Sequence, residues 1–399
     1  MIELKEALQI VLDSARPLGS ERVDLPDVLG RVLAEDVAAD IDLPPFDKAT
    51  VDGFACRLAD LGNELAVVET IPAGTAPTKA VGPGQCARIM TGAALPQGAD
   101  CVIMIEQTQG LGENTIRFTG SRTPDHISQK AQDMRSGQIV LRKGTFIRPP
   151  HVAMLASVGC VRPLVAMRPR VAVLTGGDEL VEPAARPGPF HIRNSNSIQL
   201  VAQLQAMGIA ARDYGIMRDD AGEIDRKVRA ALAENDVVLI SGGVSVGDFD
   251  LVPGVLRQNN VRLLFEKIAV KPGKPTVFGI AESAWCFGLP GNPVSTFIIF
   301  ELLVKPFIYR LMGHDHSAQC VRMYLDESID RKDADRQSWI PVRIVPDAQR
   351  PFGTRGAVRP VAYHGSAHIP ALCEADGLVS MEIGVVSLPR GTSVQVRLF

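Results

Sequence analysis

Residues 239–250 read LISGGVSVGDFD and complete an apolar run, 236–240, of strand-like character. Three glycines in that span mark a backbone bending tightly. Amides freed by such a turn can cradle an anion. The carboxylates that finish it, Asp248 and Asp250, suit a cation beside that anion. A buried strand running into a turn of this kind belongs to an α/β sheet, whose ligands sit outside the carboxyl ends of the strands.

Working outward, the same grammar extends on both sides. Residues 170–175 (RVAVLT) read as a strand. Ile198, Val201, Ala202, Leu204 and Gln205 then recur at helical spacing. A strand-like 209–217, a helix near 221–234 and an amphipathic piece at 251–258 continue the alternation. Strands near 262–270, 275–280 and 284–288 follow, and a long helix from Val294 to about Leu311 closes the region. Strands alternating with helices imply a mostly parallel sheet covered on both faces.

Beyond these limits the texture changes. Leu4, Ala7, Leu8, Val11 and Leu12 predict an N-terminal helix that Pro17 and Gly19 end. From about 35 to 145, short β-rich runs are punctuated by Gly and Pro, with 107–123 reading as an exposed hairpin or loop. β texture returns after Gly313. The expected division is a helix and linker at 1–38, a β-rich domain at 39–137 and a return segment at 138–167 packing with 16–38. An α/β domain at 168–316 and a small β domain at 317–399 complete it.

Composition narrows the function classes. The 399 residues carry a formal charge of -3, which gives no support to nucleic acid or an anionic membrane as main partner. Seven cysteines form an odd set without a Cys-x-x-Cys pair, which fits a reducing, cytoplasmic setting and speaks against a disulfide framework or thiolate zinc site. No stretch approaches the ~20 apolar residues of a membrane span.

Candidate chemistry gathers in four loops. Three glycine-bearing turns follow strands: 175–179 with Gly177 and Glu179, 241–250 with Ser241, Gly242, Gly243, Ser245 and Gly247, and 289–295 with Pro290, Gly291, Asn292, Pro293 and Ser295. The fourth, 271–275, carries Lys271 and Lys274, with Lys267 just before it. One such turn is ordinary turn chemistry. Four at one end of a sheet favour a phosphate-bearing ligand, with serine hydroxyls and lysines supplying what the acidic chain average lacks. Neither a P-loop nor a G-x-G-x-x-G motif is present. Asp52, Glu179, Asp219, Asp220, Asp248 and Asp250 are carboxylate candidates, because Mg²⁺ is held by one or two carboxylates together with substrate oxygens. Thr91 is a turn residue or a hydroxyl aimed at substrate. His314-Asp-His316 has no third partner in sequence and reads as a solvated linker.

The set as a whole, PPFDKATVDGFA (44–55), ARIMTGAALPQGAD (87–100), VLTGGDEL (173–180), SGGVSVGDFD (241–250), KIAVKPGKPTVFG (267–279) and GLPGNPVS (288–295), resembles the molybdopterin molybdotransferases in content and order. These are the bacterial molybdenum-insertion enzymes to which the E domain of gephyrin belongs. The resemblance spans essentially the whole chain and is most specific at 236–296. It implies an elongated homodimer of four-domain subunits, with the site between the α/β domain of one subunit and the β-rich domain of the other. The implied reaction inserts molybdate into adenylylated molybdopterin and releases AMP with a divalent cation, Mg²⁺, assisting; a molybdopterin adenylyltransferase is the expected pterin donor.

By the same resemblance, Asp52, Thr91, Glu179, Asp219 and Asp250 match acidic or hydroxyl positions of the family's site, and Asp133 matches more loosely. Glu179 and Asp250 are the candidate cation ligands. Lys267, Lys271 and Lys274 match its basic positions, and Pro290 and Pro293 its last substrate loop. Two positions depart from the family pattern: Phe54 stands where Tyr is usual, and Gly176 where Thr is usual. The alternatives are a molybdopterin adenylyltransferase, which resembles only the α/β domain, and a non-catalytic gephyrin-like scaffold. The former would charge pterin from Mg·ATP, and the latter would release no AMP.

Overall fold

The computed structural model describes residues 1–244, 251–345 and 356–399. The chain forms two compact units, one of 1–22, 30–34 and 164–399, the other of 23–29 and 35–163.

At the centre of the first unit is a six-stranded sheet. Across it run Ala211–Met217, Val171–Gly176, Val237–Ser241, Trp285–Leu289, Val277–Ile280 and Arg262–Phe265. The first four pair in parallel and the last two are antiparallel additions. From Val171–Gly176 the chain moves to one neighbour, then crosses back to Val237–Ser241 on the other side. That reversal makes a crevice at the carboxyl ends of these two central strands. Alternation along the strands covers both faces. Ala172, Leu174, Val238 and Ile240 pack with Ile224, Val228 and Ala231 of the helix Ala221–Glu234. On the aromatic side, Phe287 lies 4.8 Å from Phe278 and 5.3 Å from Phe307, ring to ring. Such burial on both faces is why these strands read as continuous apolar runs.

The N-terminal helix Leu4–Asp13 joins this unit: Ala7 and Val11 are fully buried, and Trp285 Nε1 donates to the Ser14 carbonyl at 3.1 Å. The long closing helix is continuous in direction but not uniform. A π-helical stretch, Phe300–Val304, separates Pro293–Ile299 from Lys305–Leu311. Within it Glu301, 5% exposed, accepts from Lys305 Nζ at 2.8 Å and from Gln203 Nε2 at 3.0 Å. A buried carboxylate so paired avoids the cost of an isolated charge.

After the helix, five strands close into a small barrel. Gln337–Val345 pairs with both Ala357–Pro360 and Gly377–Met381, and the ring runs on through Cys320–Leu325 and Ser393–Leu398. The expected strand at 262–270 is not one strand. Arg262–Phe265 stays in the α/β sheet, whereas Val270–Lys271 leaves it and pairs in parallel with Gln337 and Ser338. The β character at 270–271 was legible, but its partner lies over sixty residues away.

His314 and His316 are also not the solvated linker that their sequence suggests. His316 stacks on Tyr309 at 4.7 Å, His314 meets the same ring edge-on at 5.5 Å, and burial pushes the His316 imidazole down to about 4. Both side chains serve as packing for the end of the helix.

The second unit is β-rich. Its six-stranded sheet runs Cys101–Met104, Gly53–Cys56, Gln85–Ile89, Glu64–Ile71, Thr115–Phe118 and Thr108–Gly110. The last two form the hairpin expected within 107–123. Gly53 is a close-approach position: a Cβ there would lie 1.9 Å from the Ile103 carbonyl oxygen. Phe54 is 7% exposed and packs with Cys56, Leu65, Ile103 and Phe118.

Candidate active site

In the first unit a cavity of about 1250 Å³ opens at the carboxyl end of the α/β sheet. All four sequence-identified loops reach it, because Arg262–Phe265 runs parallel to the central strands and delivers the lysine loop to the same end. Gly177, Glu179, Asp219, Ser241, Gly242, Gly243, Lys271, Lys274, Pro290, Gly291, Asn292, Pro293 and Ser295 all line it. Lys267 does not. Its carbonyl accepts from Ile2 N at 3.2 Å, and the segment after it turns back through a bond from Ile268 N to Lys274 O. Ser245, Gly247, Asp248 and Asp250 lie outside the described residues.

The floor is built from backbone packed too closely for side chains. Gly242 has φ +91, and a Cβ on it would come within 2.4 Å of the Gly176 carbonyl oxygen. Its N–H donates to Leu289 O at 3.1 Å, tying two of the turns together. At Gly177 (φ +144) a Cβ would meet Glu179 Oε2 at 2.4 Å, so the Glu179 carboxylate folds over the first turn. Gly176 is different: a Cβ there meets only ordinary contacts, the nearest Met217 Cε at 3.7 Å. Steric necessity therefore does not explain the departure at this position.

Ser241 corrects an expectation. Its hydroxyl, expected to face a phosphate, is 1% exposed and donates to Pro290 O at 3.0 Å. The strand end needs that bond because Pro290 begins the neighbouring loop, and Thr296 Oγ1 donates to the same carbonyl at 2.5 Å. Ser241 therefore fastens the loops. Asn196 joins this latch: its Nδ2 donates to Ser241 Oγ at 2.8 Å and to Gly291 O at 2.7 Å. Deeper still, Asn194 Nδ2 donates to Thr175 Oγ1 at 2.8 Å.

Asp219 sits at the rim opposite Asp178. Asp219 N donates to Asp178 Oδ1 at 3.1 Å, and Arg218 donates to the Asp178 carbonyl at 2.9 Å. Asp220 is accounted for locally, since its Oδ1 accepts from Glu223 N at 2.8 Å and caps the helix Ala221–Glu234. Glu179 and Asp219 are hard oxygen donors on one cavity, which fits Mg²⁺ held by one or two carboxylates plus substrate oxygens. Among the described residues, no group of three side chains forms a protein-only metal site.

The opposite wall comes from the C-terminal barrel, and sequence reasoning missed it. Arg331, Arg336, Ser338, Trp339, Tyr363 and Ser366 line the cavity there. Arg331 is spent on structure, donating to the Val385 and Arg336 carbonyls and to Ser338 Oγ, each at 2.6 Å. Arg336 has a longer contact, its Nε 3.5 Å from Asp335 Oδ1. Burial pushes the Tyr363 phenol up to about 12, so it stays a neutral donor at neutral pH. Lys271 lies 3.7 Å from Asp333 with both side chains well exposed, a pairing too weak to withhold the ammonium from an anionic ligand.

In the second unit, Asp52 and Thr91 meet. Asp52 Oδ1 accepts from Thr91 Oγ at 2.6 Å and from Thr91 N at 2.7 Å, and these bonds hold its carboxyl below the usual range. Both residues are exposed. Asp133 is exposed too; its N–H donates to Leu43 O at 2.9 Å, and no hydrogen bond joins it to the Asp52–Thr91 pair among the described residues.

A crevice at a strand-order reversal, floored by glycine turns and edged by lysines and carboxylates, defines a binding domain for a phosphate-bearing ligand. The comparisons with known proteins make the class specific. Residues 2–159 match the MoeA N-terminal region (domain I and II), 172–310 a probable molybdopterin binding domain and 329–399 the MoeA C-terminal region (domain IV). A molybdopterin molybdenumtransferase of Staphylococcus epidermidis is 34% identical over all of this chain and 95% of its own length, and one of Staphylococcus aureus is likewise 34% identical with the same coverage. The molybdopterin biosynthesis MoeA protein of Pyrococcus horikoshii OT3, a solved structure, is 30% identical over the whole of both chains, with a TM-score of 0.84. The chain belongs to the MoeA family of molybdopterin molybdenumtransferases.

Proposed function

We propose that this protein acts in molybdenum cofactor biosynthesis, transferring molybdenum from molybdate to adenylylated molybdopterin with release of AMP. The observation that carries this reading is the convergence of four loops, two lysines and two carboxylates on one cavity in a chain that such transferases match from end to end. An adenylyltransferase would need only the α/β region, whereas the match here also includes both β-rich parts.

Within the reading, the amides of the glycine turns hold phosphate oxygens, and Lys271 and Lys274 balance the ligand's negative charge. Glu179 and Asp219 hold Mg²⁺, with Asp250 a further ligand. The cation would neutralise charge developing on phosphate oxygens as AMP leaves. Asp52 keeps the Thr91 hydroxyl oriented, and the pair is assigned to the same reaction. Arg336 extends the cationic edge toward the oxyanion substrate. The protein works as a homodimer in the cytoplasm, where seven free cysteines are at home, and takes its pterin from a molybdopterin adenylyltransferase. No helix among the described residues is long and apolar enough to cross a membrane.

The test is molybdate-dependent AMP release from adenylylated molybdopterin by the purified chain. AMP release independent of molybdate would sink the transferase reading, and pterin adenylylation from Mg·ATP by this chain alone would replace it with the adenylyltransferase. Sedimentation at micromolar concentration is expected to give a dimer; a monomer with full turnover would remove that part.

Replacing Lys271 or Lys274 with Ala is expected to weaken binding of adenylylated pterin about tenfold and to flatten its salt dependence. Each lysine acts as a point charge partly screened by solvent, for which ~1.4 kcal/mol is a reasonable loss. An unchanged dissociation constant would exclude that lysine from the site.

A further inference from the structure

The helix Asn196–Ala206 starts at the cavity and carries three amides, Asn196, Gln199 and Gln203, at spacings of three and four that place them on one face. This stripe bonds to the chain that follows the last glycine turn. Asn196 Nδ2 donates to Gly291 O at 2.7 Å, Gln199 Nε2 to Pro293 O at 3.3 Å and Gln203 Nε2 to Glu301 Oε1 at 3.0 Å. Of the three, Asn196 is the one that lines the cavity, and it is 8% exposed. Its second amide hydrogen goes to Ser241 Oγ at 2.8 Å, and Ser241 gives its own to Pro290 O. One buried amide therefore ties the strand end before Gly242 to the loop at 290–291. The two backbones run close there, since a Cβ on Gly291 would stand 3.6 Å from Gly242 Cα.

We infer that Asn196 is a positioning residue for the transferase reaction: acting through Ser241 and Gly291, it fixes the spacing of two glycine turns that face the ligand. The sheet's own hydrogen bonding reaches as far as Gly242 N to Leu289 O at 3.1 Å. Past that bond the side chains of Ser241 and Asn196 carry the tie. Both Asn196 hydrogens are committed to acceptors on different segments, so the amide holds a distance and a direction, which an apolar side chain of equal size would not. A small misplacement of a positioning element is costly because the ligand must meet both turns at once. The inference rests on the reading above, that this cavity takes adenylylated pterin.

The experiment compares Asn196→Ala, Asn196→Ser and Gln203→Ala in the full chain, under conditions where urea titration shows each to be folded. AMP is the calorimetric probe, and molybdate-dependent AMP release the kinetic one. Asn196→Ala and Gln203→Ala both remove hydrogen bonds of the same helix, so both should lower the urea midpoint. Asn196→Ala is expected to lose about tenfold in AMP affinity and about tenfold in kcat/KM, a fraction of what a displacement near 1 Å costs. Gln203→Ala should keep the wild-type values of both. Asn196→Ser has one hydroxyl hydrogen for two acceptors and should lose part of the affinity, so it carries the test should Asn196→Ala fail to fold. Folded Asn196 variants with wild-type affinity and kcat/KM would overturn the inference and leave the transferase reading intact. Equal losses in Asn196→Ala and Gln203→Ala would overturn it as well, by showing that the residue only holds the helix in place. Wild type that neither binds AMP nor releases it would overturn the transferase reading and the inference with it.

Discussion

Asp52→Asn is expected to lower molybdate-dependent AMP release about 100-fold, the scale seen when one preorganised polar group is lost from a transition state, while leaving the unfolding midpoint nearly unchanged. Asn keeps a carbonyl oxygen where Asp52 Oδ1 now accepts from Thr91 Oγ and Thr91 N, so the local turn should survive. What disappears is the charge. The two Thr91 bonds lower the Asp52 carboxyl from its ordinary value, so it remains ionised well below neutral pH. Its folded pKa lies below the unfolded one, so any stability it contributes is fully present above the unfolded value, ~3.9. That stability is lost only as pH falls through the lower folded value. Wild type and Asp52→Asn should therefore differ in AMP release throughout the neutral range, and any small stability difference made by the charge should be present at neutral pH and vanish as pH falls below about 4. Wild-type turnover in the variant would show that Asp52 serves the turn and not the reaction.

Gly242→Ala should do damage of another kind. The residue is held at φ +91 with the Gly176 carbonyl oxygen 2.4 Å from where a Cβ would stand, and both obstacles are backbone. Strain at such a position costs about 3 kcal/mol. The first unit should unfold at correspondingly lower urea concentration. Because Gly242 N also ties its turn to Leu289, relief of the clash must separate the two central turns. A displacement near 1 Å in a positioning element costs about 100-fold in rate, so AMP release should fall that far even where the variant is folded. A variant with the wild-type midpoint and wild-type turnover would mean that the floor is not as closely packed as described. Gly176→Ala is the internal contrast, since its Cβ finds ordinary contacts and φ there is not left-handed.

Much of the site was legible because its residues carry local signatures. The glycines that allow Gly242 and Gly177 their positive φ stand at the ends of strongly apolar runs, and each run proved to be a buried central strand. The helix Leu4–Asp13 was readable from a 3.6-residue period whose innermost members, Ala7 and Val11, are fully buried. Other contributors had no such mark. Asn194 and Asn196 sit in a polar segment that resembles any loop. Arg336, Trp339 and Tyr363 come from the barrel, which reaches the cavity because Val270–Lys271 changes sheets to pair with Gln337 and Ser338.

Sequence by itself determined most of the central strands and helices, where the backbone must turn without side chains, and which family pattern the motifs follow. Those properties depend on neighbours within a few residues: hydrophobic period, glycine freedom and turn chemistry. Only the tertiary structure decided what each polar atom meets. It turned the Ser241 hydroxyl inward to Pro290, stacked His316 on Tyr309, and left Asn196 Oδ1 without a partner among the described residues. A short polar side chain has several equally good partners in an unfolded chain. The choice among them is made when elements distant in sequence, such as 196, 241 and 291, are packed together by the burial of the strands and helices that carry them.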